Sequence, residues 1–285
     1  MRPRAEHDRS MRMTENDWTA ALDETGHGVI PGLLGTRECA AIAALYDEPS
    51  SFRSKVVMAK HGFGRGEYQY FGHPLPERVL ELRRSLYEAL VPAANRWAEA
   101  LRKPGRYPAQ LEKYLAECHA AGQTRPTPLL LRYGPGDFNC LHQDLYGALA
   151  FPFQVTVLLS KPGVDFSGGE FVLTQQRPRM QSRVDVVPLS QGDAAAFAVN
   201  ERPVHGTRGV YRVRMRHGVS EVRSGQRHTL GIIFFTTPPE RPPLVGAERR
   251  ALAQRRGAAK APYPNASIPV IAFPSTSVCT SCVPS

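Results

Sequence analysis

Apolar positions recur every three or four residues through the first half of the chain and mostly every second residue through the second half. Those are the periods of one helix face and of one strand face. After residue 13, Thr14 is a candidate N-cap for a helix with Trp18, Ala21 and Leu22 on one face, stopping at Gly26. A short strand at Val29-Ile30 ends at Pro31-Gly32, and a second helix opens at Thr36 and runs through Leu45. Between 76 and 97, Val79, Leu82, Leu86, Leu90 and Val91 predict a long amphipathic helix, interrupted near Pro92 because proline lacks the N–H that a helix interior uses. One more helix is expected from Tyr107 to Ala121, ahead of Gly122. The Gly-rich, basic and aromatic stretch at 60–71 reads either as a surface loop running into an edge strand or as a mobile substrate contact.

From residue 128 the strand period takes over. Strands are expected at 129–133, 151–159, 168–173, 184–187, 193–199, 209–217 and 227–235, divided by turns such as Gly134-Pro135-Gly136 and Lys161-Pro162-Gly163. Many short strands predict a sandwich, barrel or jelly roll, and helices ahead of them make the fold class α+β. The chain divides into a disordered arm at 1–13, a single domain at 14–240 with its β-core at about 128–237, and a mostly disordered tail at 241–285 rich in Pro, Arg, Ala and Ser. In that tail Cys279 and Cys282 form a lone Cys-x-x-Cys, with no second pair or nearby histidine to complete a zinc site.

Composition adds bounds on partners and compartment. No apolar run reaches membrane-spanning length, and the basic N-terminus leads into no hydrophobic segment, so neither a membrane anchor nor a secretory signal is expected. Five cysteines without scaffold spacing fit a reducing cytoplasm. The net charge of +10 favours polyanionic partners, although ten of the cationic residues lie in the arm and tail.

The candidate chemistry centres on His142-Gln143-Asp144. Residues i and i+2 of a strand share a face, so His142 and Asp144 could grip one ion together. With a second histidine this donor set suits non-haem Fe(II), while zinc or manganese can use the same ligands. Of the downstream histidines, His217 shares a face with Tyr211, Val213 and Met215, whereas Arg212, Arg214 and Arg216 share the other. His205 lies in a turn-like run, and His228 points away from the face that Arg227 and Thr229 share. An inward Arg227 needs an anionic partner, and its planar fork suits a carboxylate.

His142-x-Asp144, an interval holding Gly168-Gly169-Glu170-Phe171 and Gly192-Asp193, and then His217-Gly218-Val219 through Gln226-Arg227-His228-Thr229 resemble the Fe(II)- and 2-oxoglutarate-dependent dioxygenases of the prolyl-4-hydroxylase-like type. The resemblance covers 133–235 and implies a double-stranded β-helix, or jelly roll, braced by the N-terminal helices. It implies Fe(II) on His142, Asp144 and His217, with 2-oxoglutarate and O2 as cosubstrates. In that family a basic residue ten positions after the distal histidine binds the far carboxylate of 2-oxoglutarate, and Arg227 stands at that distance from His217. An insertion around 201–210 departs from the pattern, and Asn139 stands where many relatives carry a tyrosine, so Thr229, Tyr133 and Asn139 share candidacy for the second contact.

More narrowly, Arg202-Pro203-Val204-His205-Gly206, Arg216-His217-Gly218 and Tyr133-Gly134-Pro135-Gly136-Asp137-Phe138-Asn139 are similar to a bacterial group labelled as oxygenases acting on damaged nucleic acid. That likeness implies oxidative demethylation of an alkylated base, single-stranded or damaged nucleic acid being the partner. Arg65, Arg214 and Arg216, with Arg177, Arg179, Arg183 and Arg212, are candidates for phosphates, and Tyr68, Tyr70 and Phe71 for stacking on an extruded base. The competing expectations are a hydroxylase of a protein side chain or small metabolite, and a non-catalytic sensor that only binds metal or 2-oxoglutarate.

Overall fold

The computed structural model describes residues 15–145, 147–207 and 209–239. Four helices are α1 (Glu15–Thr25), α2 (Thr36–Ala44), α3 (Glu77–Ala100) and α4 (Leu111–Ala120). Strands come early as well as late: β1 (His27–Ile30), β2 (Phe52–Val57), β3 (Gly64–Arg65), β4 (Glu67–Phe71), β5 (Leu129–Tyr133), β6 (Phe138–His142), β7 (Phe153–Leu158) and β8 (Phe166–Gly168). They continue as β9 (Phe171–Gln176), β10 (Ser182–Val187), β11 (Ala194–Ala198), β12 (Glu201–Gly206), β13 (Gly209–Val219), β14 (Val222–Gly225) and β15 (Arg227–Ile232).

Seven strands form the major sheet in the order β1-β11-β7-β15-β5-β4-β2. A minor sheet runs β10-β9-β13-β6-β3, with β12 on β13. From β5 the chain winds between them, β5 and β7 in the major sheet and β6 and β9 in the minor, then β11 in the major, β13 in the minor and β15 in the major. That winding is the jelly roll, or double-stranded β-helix, of an α+β protein. Phe171 and Leu173 of the minor sheet pack against Ala195 and Phe197 of the major one, so the inner faces meet.

The other face of the major sheet is covered by helix. Val79, Leu82, Leu86, Leu90 and Trp97 on α3 join Phe153, Val155, Val157, Leu230 and Ile232 in one buried cluster. Strand parity explains this: alternate residues on β7 and β15 go to the helices, and those between them go inside the roll.

Four expectations need correcting. α3 runs unbroken through Pro92, because Pro92 and Glu88, whose carbonyl it leaves without a helical donor, both face solvent, where water can pair that carbonyl. α4 begins at Leu111, four residues after the expected start. The β-structure does not wait for residue 128, since β1, β2 and β4 add to the edges of the major sheet. The stretch 60–71 is mostly strand, β3 pairing with β6 and β4 with β5. Thr14, the N-terminal arm, the tail and Cys279 and Cys282 lie outside the described residues. Among the described residues no helix is long and apolar enough to cross a membrane.

Candidate active site

His142 ends β6 and is paired directly with His217 on β13. Asp144 lies two residues past His142. Its Oδ1 is 3.6 Å from His142 Nε2 and its Oδ2 3.5 Å from His217 Nε2. One ligand atom from each of the three lies within 4.8 Å of the others. His142 Nδ1 donates to the Cys140 carbonyl at 2.8 Å, which leaves Nε2 as the lone-pair nitrogen facing the cluster. Burial, and then the neighbouring His217, push His142 below the usual histidine value and favour its neutral, ligating form. A neutral His142 forms no ion pair with Asp144, and the two could share a metal ion with His217.

Two features hold this group in place. Between the ligands, Gln143 donates from Nε2 to the Met215 carbonyl at 2.7 Å and to Asn200 Oδ1 at 2.7 Å, tying the ligand segment to β13 two residues before His217. On β13, Val213, Met215 and His217 are buried while Arg212, Arg214 and Arg216 are exposed, as the alternation predicts. The Phe197 ring lies 4.7 Å from the His217 ring and walls that side of the cluster.

The three residues line a cavity of about 190 Å³ that also receives Arg227 and Thr229 from β15, Tyr133 from β5 and Asn139 from β6. Arg227 is 2% exposed. Its Nη1 donates to Thr229 Oγ1 at 2.7 Å, its Nε meets no partner, and no carboxylate among the described residues pairs with it. Tyr133 and Phe166 present their rings to the guanidinium at 5.6 and 5.8 Å. Burial pushes the guanidinium down to about 10, still cationic at neutral pH. Asn139 donates to the Tyr133 hydroxyl at 3.4 Å, and burial pushes that phenol up to about 12, so it stays neutral. Gly169 is needed here, because a Cβ there would come within 2.9 Å of Arg227 Cδ and the backbone has φ +63°. A buried cation with idle donors in an aromatic cradle fits the carboxylate of a small dicarboxylic acid.

Residues 66–237, more than half of the chain, match the sequence profile of a family described as "Oxygenase, catalysing oxidative methylation of damaged DNA". The chain belongs to this oxygenase family. An uncharacterized protein of Mycobacterium tuberculosis strain H37Rv is 48% identical to the oxygenase over 164 residues, 58% of this chain and 70% of that protein, and a protein of strain CDC 1551 / Oshkosh gives the same figures. Among solved structures, an oxidoreductase of the 2OG-Fe(II) oxygenase family from Burkholderia pseudomallei is similar with a TM-score of 0.48 and 18% identity, covering 80% of this chain and 95% of that one. A Pseudomonas putida prolyl-4-hydroxylase is similar with a TM-score of 0.44 and 13% identity, covering 79% and 100%. Two histidines and one carboxylate are a donor set that suits Fe(II), and His142, Asp144 and His217 could hold such an ion in this oxygenase.

The oxygenase distributes the other expected residues unevenly. Tyr68 and Tyr70 line the cavity, edge to face at 5.4 Å, joined by Phe63. Phe71 does not, since parity sends it into the helix-covered core, where it stacks on Phe52 at 4.9 Å. Arg65 on β3 and Arg214 and Arg216 on β13 are exposed and absent from the cavity lining, so no contact to a substrate inside the roll falls to them. Arg183 is paired with Asp185 at 2.7 Å, and Arg212 with Glu201 at 3.4 Å. His205 is exposed as expected, but in strand β12 rather than a turn, the insertion around 201–210 being part of the β12–β13 hairpin. His228 turns to the other side of the sheet, its ring 5.9 Å from that of Tyr46.

Three polar lining residues were not anticipated: Gln143, Gln154 and Thr156. Gln154 and Thr156 alternate with Phe153, Val155 and Val157, a pattern that by itself reads as a strand with a solvent face. The available signal was that a second sheet had to cover one side of it.

Proposed function

We propose that His142, Asp144 and His217 hold Fe(II), that Arg227 and Thr229 hold the far carboxylate of 2-oxoglutarate, and that the substrate is an N-alkylated base in single-stranded or damaged nucleic acid. The observation that carries the cosubstrate assignment is the buried Arg227, which lines the same cavity as His142, Asp144 and His217, pairs with no carboxylate among the described residues and keeps its Nε without a partner. When bound, Fe(II) and 2-oxoglutarate supply the oxidation: O2 puts one oxygen atom into succinate, with release of CO2, and the other into a substrate C–H bond. An N-methyl group so hydroxylated leaves as formaldehyde.

The chain's own residues position and exclude. His142, fixed by its bond to the Cys140 carbonyl, keeps Nε2 turned to the metal position, while Gln143 keeps the ligand segment in register with β13. Phe171 and Phe197 keep water from the His217 side. Tyr133 and Asn139 stand beside the Arg227 end, the hydroxyl and amide being available to the cosubstrate. Tyr68 and Tyr70 offer ring surfaces to a planar substrate. Arg65, Arg214 and Arg216 remain outside, where they can meet phosphates flanking an extruded base. Leu129, Leu131 and Ile233 in the same lining suit an aliphatic side chain and keep a peptide or metabolite hydroxylase as the second reading.

The test is anaerobic loading with Fe(II) and 2-oxoglutarate, admission of air, and assay of succinate. Wild type and His205→Ala form succinate, and His142→Ala and Arg227→Ala do not. Formaldehyde released from a methylated single-stranded oligonucleotide selects the nucleic-acid reading. Absence of iron binding, or loss confined to His205→Ala, overturns the site assignment.

A further inference from the structure

Seven buried side-chain polar atoms among the described residues meet no hydrogen-bond partner, and three of them belong to residues that line one cavity: His217, Arg227 and Gln154. The first two have roles in the site already described. Gln154 has none. It is 4% exposed, it sits inside the roll on β7, and its Nε2 is without a partner. Burying an amide without a hydrogen bond destabilises the fold, and an apolar residue would fill the position at no such cost. From the geometry we infer that Gln154 is the residue that reads the substrate's polar edge, rejecting groups that cannot hydrogen-bond to an amide. This rests on the nucleic-acid reading above and deepens it.

The strand register sets where Gln154 acts. Along the inner face of the major sheet Arg227 is opposite Tyr133, Thr229 is opposite Leu131 and Leu158, and Gly231 is opposite Leu129 and Thr156. On the next strand Tyr68 adjoins Leu131 and Tyr70 adjoins Leu129. Gln154 lies one inward position beyond Thr156, away from Arg227, and is paired with Phe197, whose ring rests on His217. It therefore belongs to the end of the cavity beside the metal-binding histidines, not to the cosubstrate end. Gly231 contributes only backbone between Thr156 and Leu129, and the Leu129 side chain lies over it, 2.9 Å from where a Cβ would stand.

These positions make a slot with ring surfaces from Tyr68 and Tyr70, apolar surface from Leu129 and Ile233, and polar groups from Thr156 and Gln154. A carboxamide presents a donor and an acceptor side by side in one plane. The chemistry that matches both its pairing and the adjoining rings is the edge of a nucleobase, which carries donor and acceptor atoms in the plane of a stackable ring. An aliphatic side chain would leave the amide unpaired.

The test compares wild type with Gln154→Met, which keeps the volume, and Gln154→Glu, which keeps the shape and loses the donor. Each is assayed for thermal midpoint, for succinate formed without substrate, and for kcat/KM on single-stranded oligonucleotides carrying 1-methyladenine or 3-methylcytosine. Gln154→Met is expected to melt at or above the wild-type temperature and to keep its substrate-free succinate formation. On the methylated oligonucleotides its kcat/KM falls about ten- to a hundredfold, the effect of losing one buried hydrogen bond to the substrate. Gln154→Glu is expected to lose kcat/KM likewise. Unchanged kcat/KM in both variants overturns the inference while leaving the proposed function intact. A melting temperature lowered by several degrees in Gln154→Met, or substrate-free succinate lost along with the rest, overturns it too, because the amide then serves the fold or the cosubstrate. If the wild-type protein makes succinate but no methylated oligonucleotide stimulates it, the nucleic-acid reading itself fails and takes the inference with it.

Discussion

Two arginines in this protein are equally hidden and oppositely used. Arg83 on α3 is 1% exposed and Arg227 on β15 is 2% exposed, and burial pushes both guanidiniums down to about 10. Arg83 spends its donors on backbone: Nε reaches the Ile233 carbonyl at 3.0 Å, and Nη2 the Phe234 and Phe235 carbonyls at 2.9 and 3.1 Å. Those carbonyls follow β15, where the sheet stops supplying partners, so the cation and the Thr127 hydroxyl together stand in for a missing strand. Arg227 donates to one hydroxyl and keeps its Nε idle. Burial alone therefore does not mark a functional charge. What differs is where each one lies: Arg83 is tied to the backbone after β15, whereas Arg227 lines the cavity with its Nε unpartnered, at a cost to the fold.

Three substitutions break or sharpen that contrast. Arg83→Met strands the Phe234 carbonyl and leaves those of Ile233 and Phe235 to share the Thr127 hydroxyl, and is expected to lower stability by about 2 kcal/mol or more, read by chemical denaturation, with half-saturation by 2-oxoglutarate unchanged. A loss under about 1 kcal/mol would mean that water takes over its role. Arg227→Met is expected to leave the denaturation midpoint unchanged or raised, and to raise the 2-oxoglutarate concentration for half-maximal succinate formation about a hundredfold, equivalent to about 2.8 kcal/mol. If it unfolds the protein as Arg83→Met does, the two arginines are not different in kind. Thr229→Val removes the hydroxyl on Arg227 while keeping the shape, and should raise the same half-saturation about fivefold, roughly 1 kcal/mol, measured in the same titration.

Legibility along the sequence followed the range of the interaction. On β13 the alternation of Val213, Met215 and His217 with Arg212, Arg214 and Arg216 is a covalent consequence of strand geometry, so the inward histidine could be chosen from three without coordinates. The same parity separated Arg227 and Thr229 from His228. It also separates Tyr68 and Tyr70 from Phe71, a step not taken because 60–71 carries enough glycine to resemble a loop. Pro92 misled for a different reason. A proline removes one helical donor and crowds the carbonyl four residues back, a cost that a long, well-packed helix absorbs more easily where water can reach that carbonyl, and which face of α3 met solvent depended on where the sheet lay.

By itself the sequence determined where the helices fall, the inward faces of β13 and β15, and the donor types that could meet a metal and an anion, since these follow from backbone periods of 3.6 and 2 and from side-chain chemistry. Tertiary structure alone decided that β6 and β13 are neighbours, which brings His142 and His217 to one point, and that β1, β2 and β4 widen the major sheet. It also decided that the polar face of β7 is covered, turning Gln154 from a solvated glutamine into an amide with an unpartnered Nε2 in the cavity that His142 and His217 line. The reason is that which strands pair, and which faces lose their water, is settled by burying the whole chain's apolar surface at once, and no local stretch carries that information.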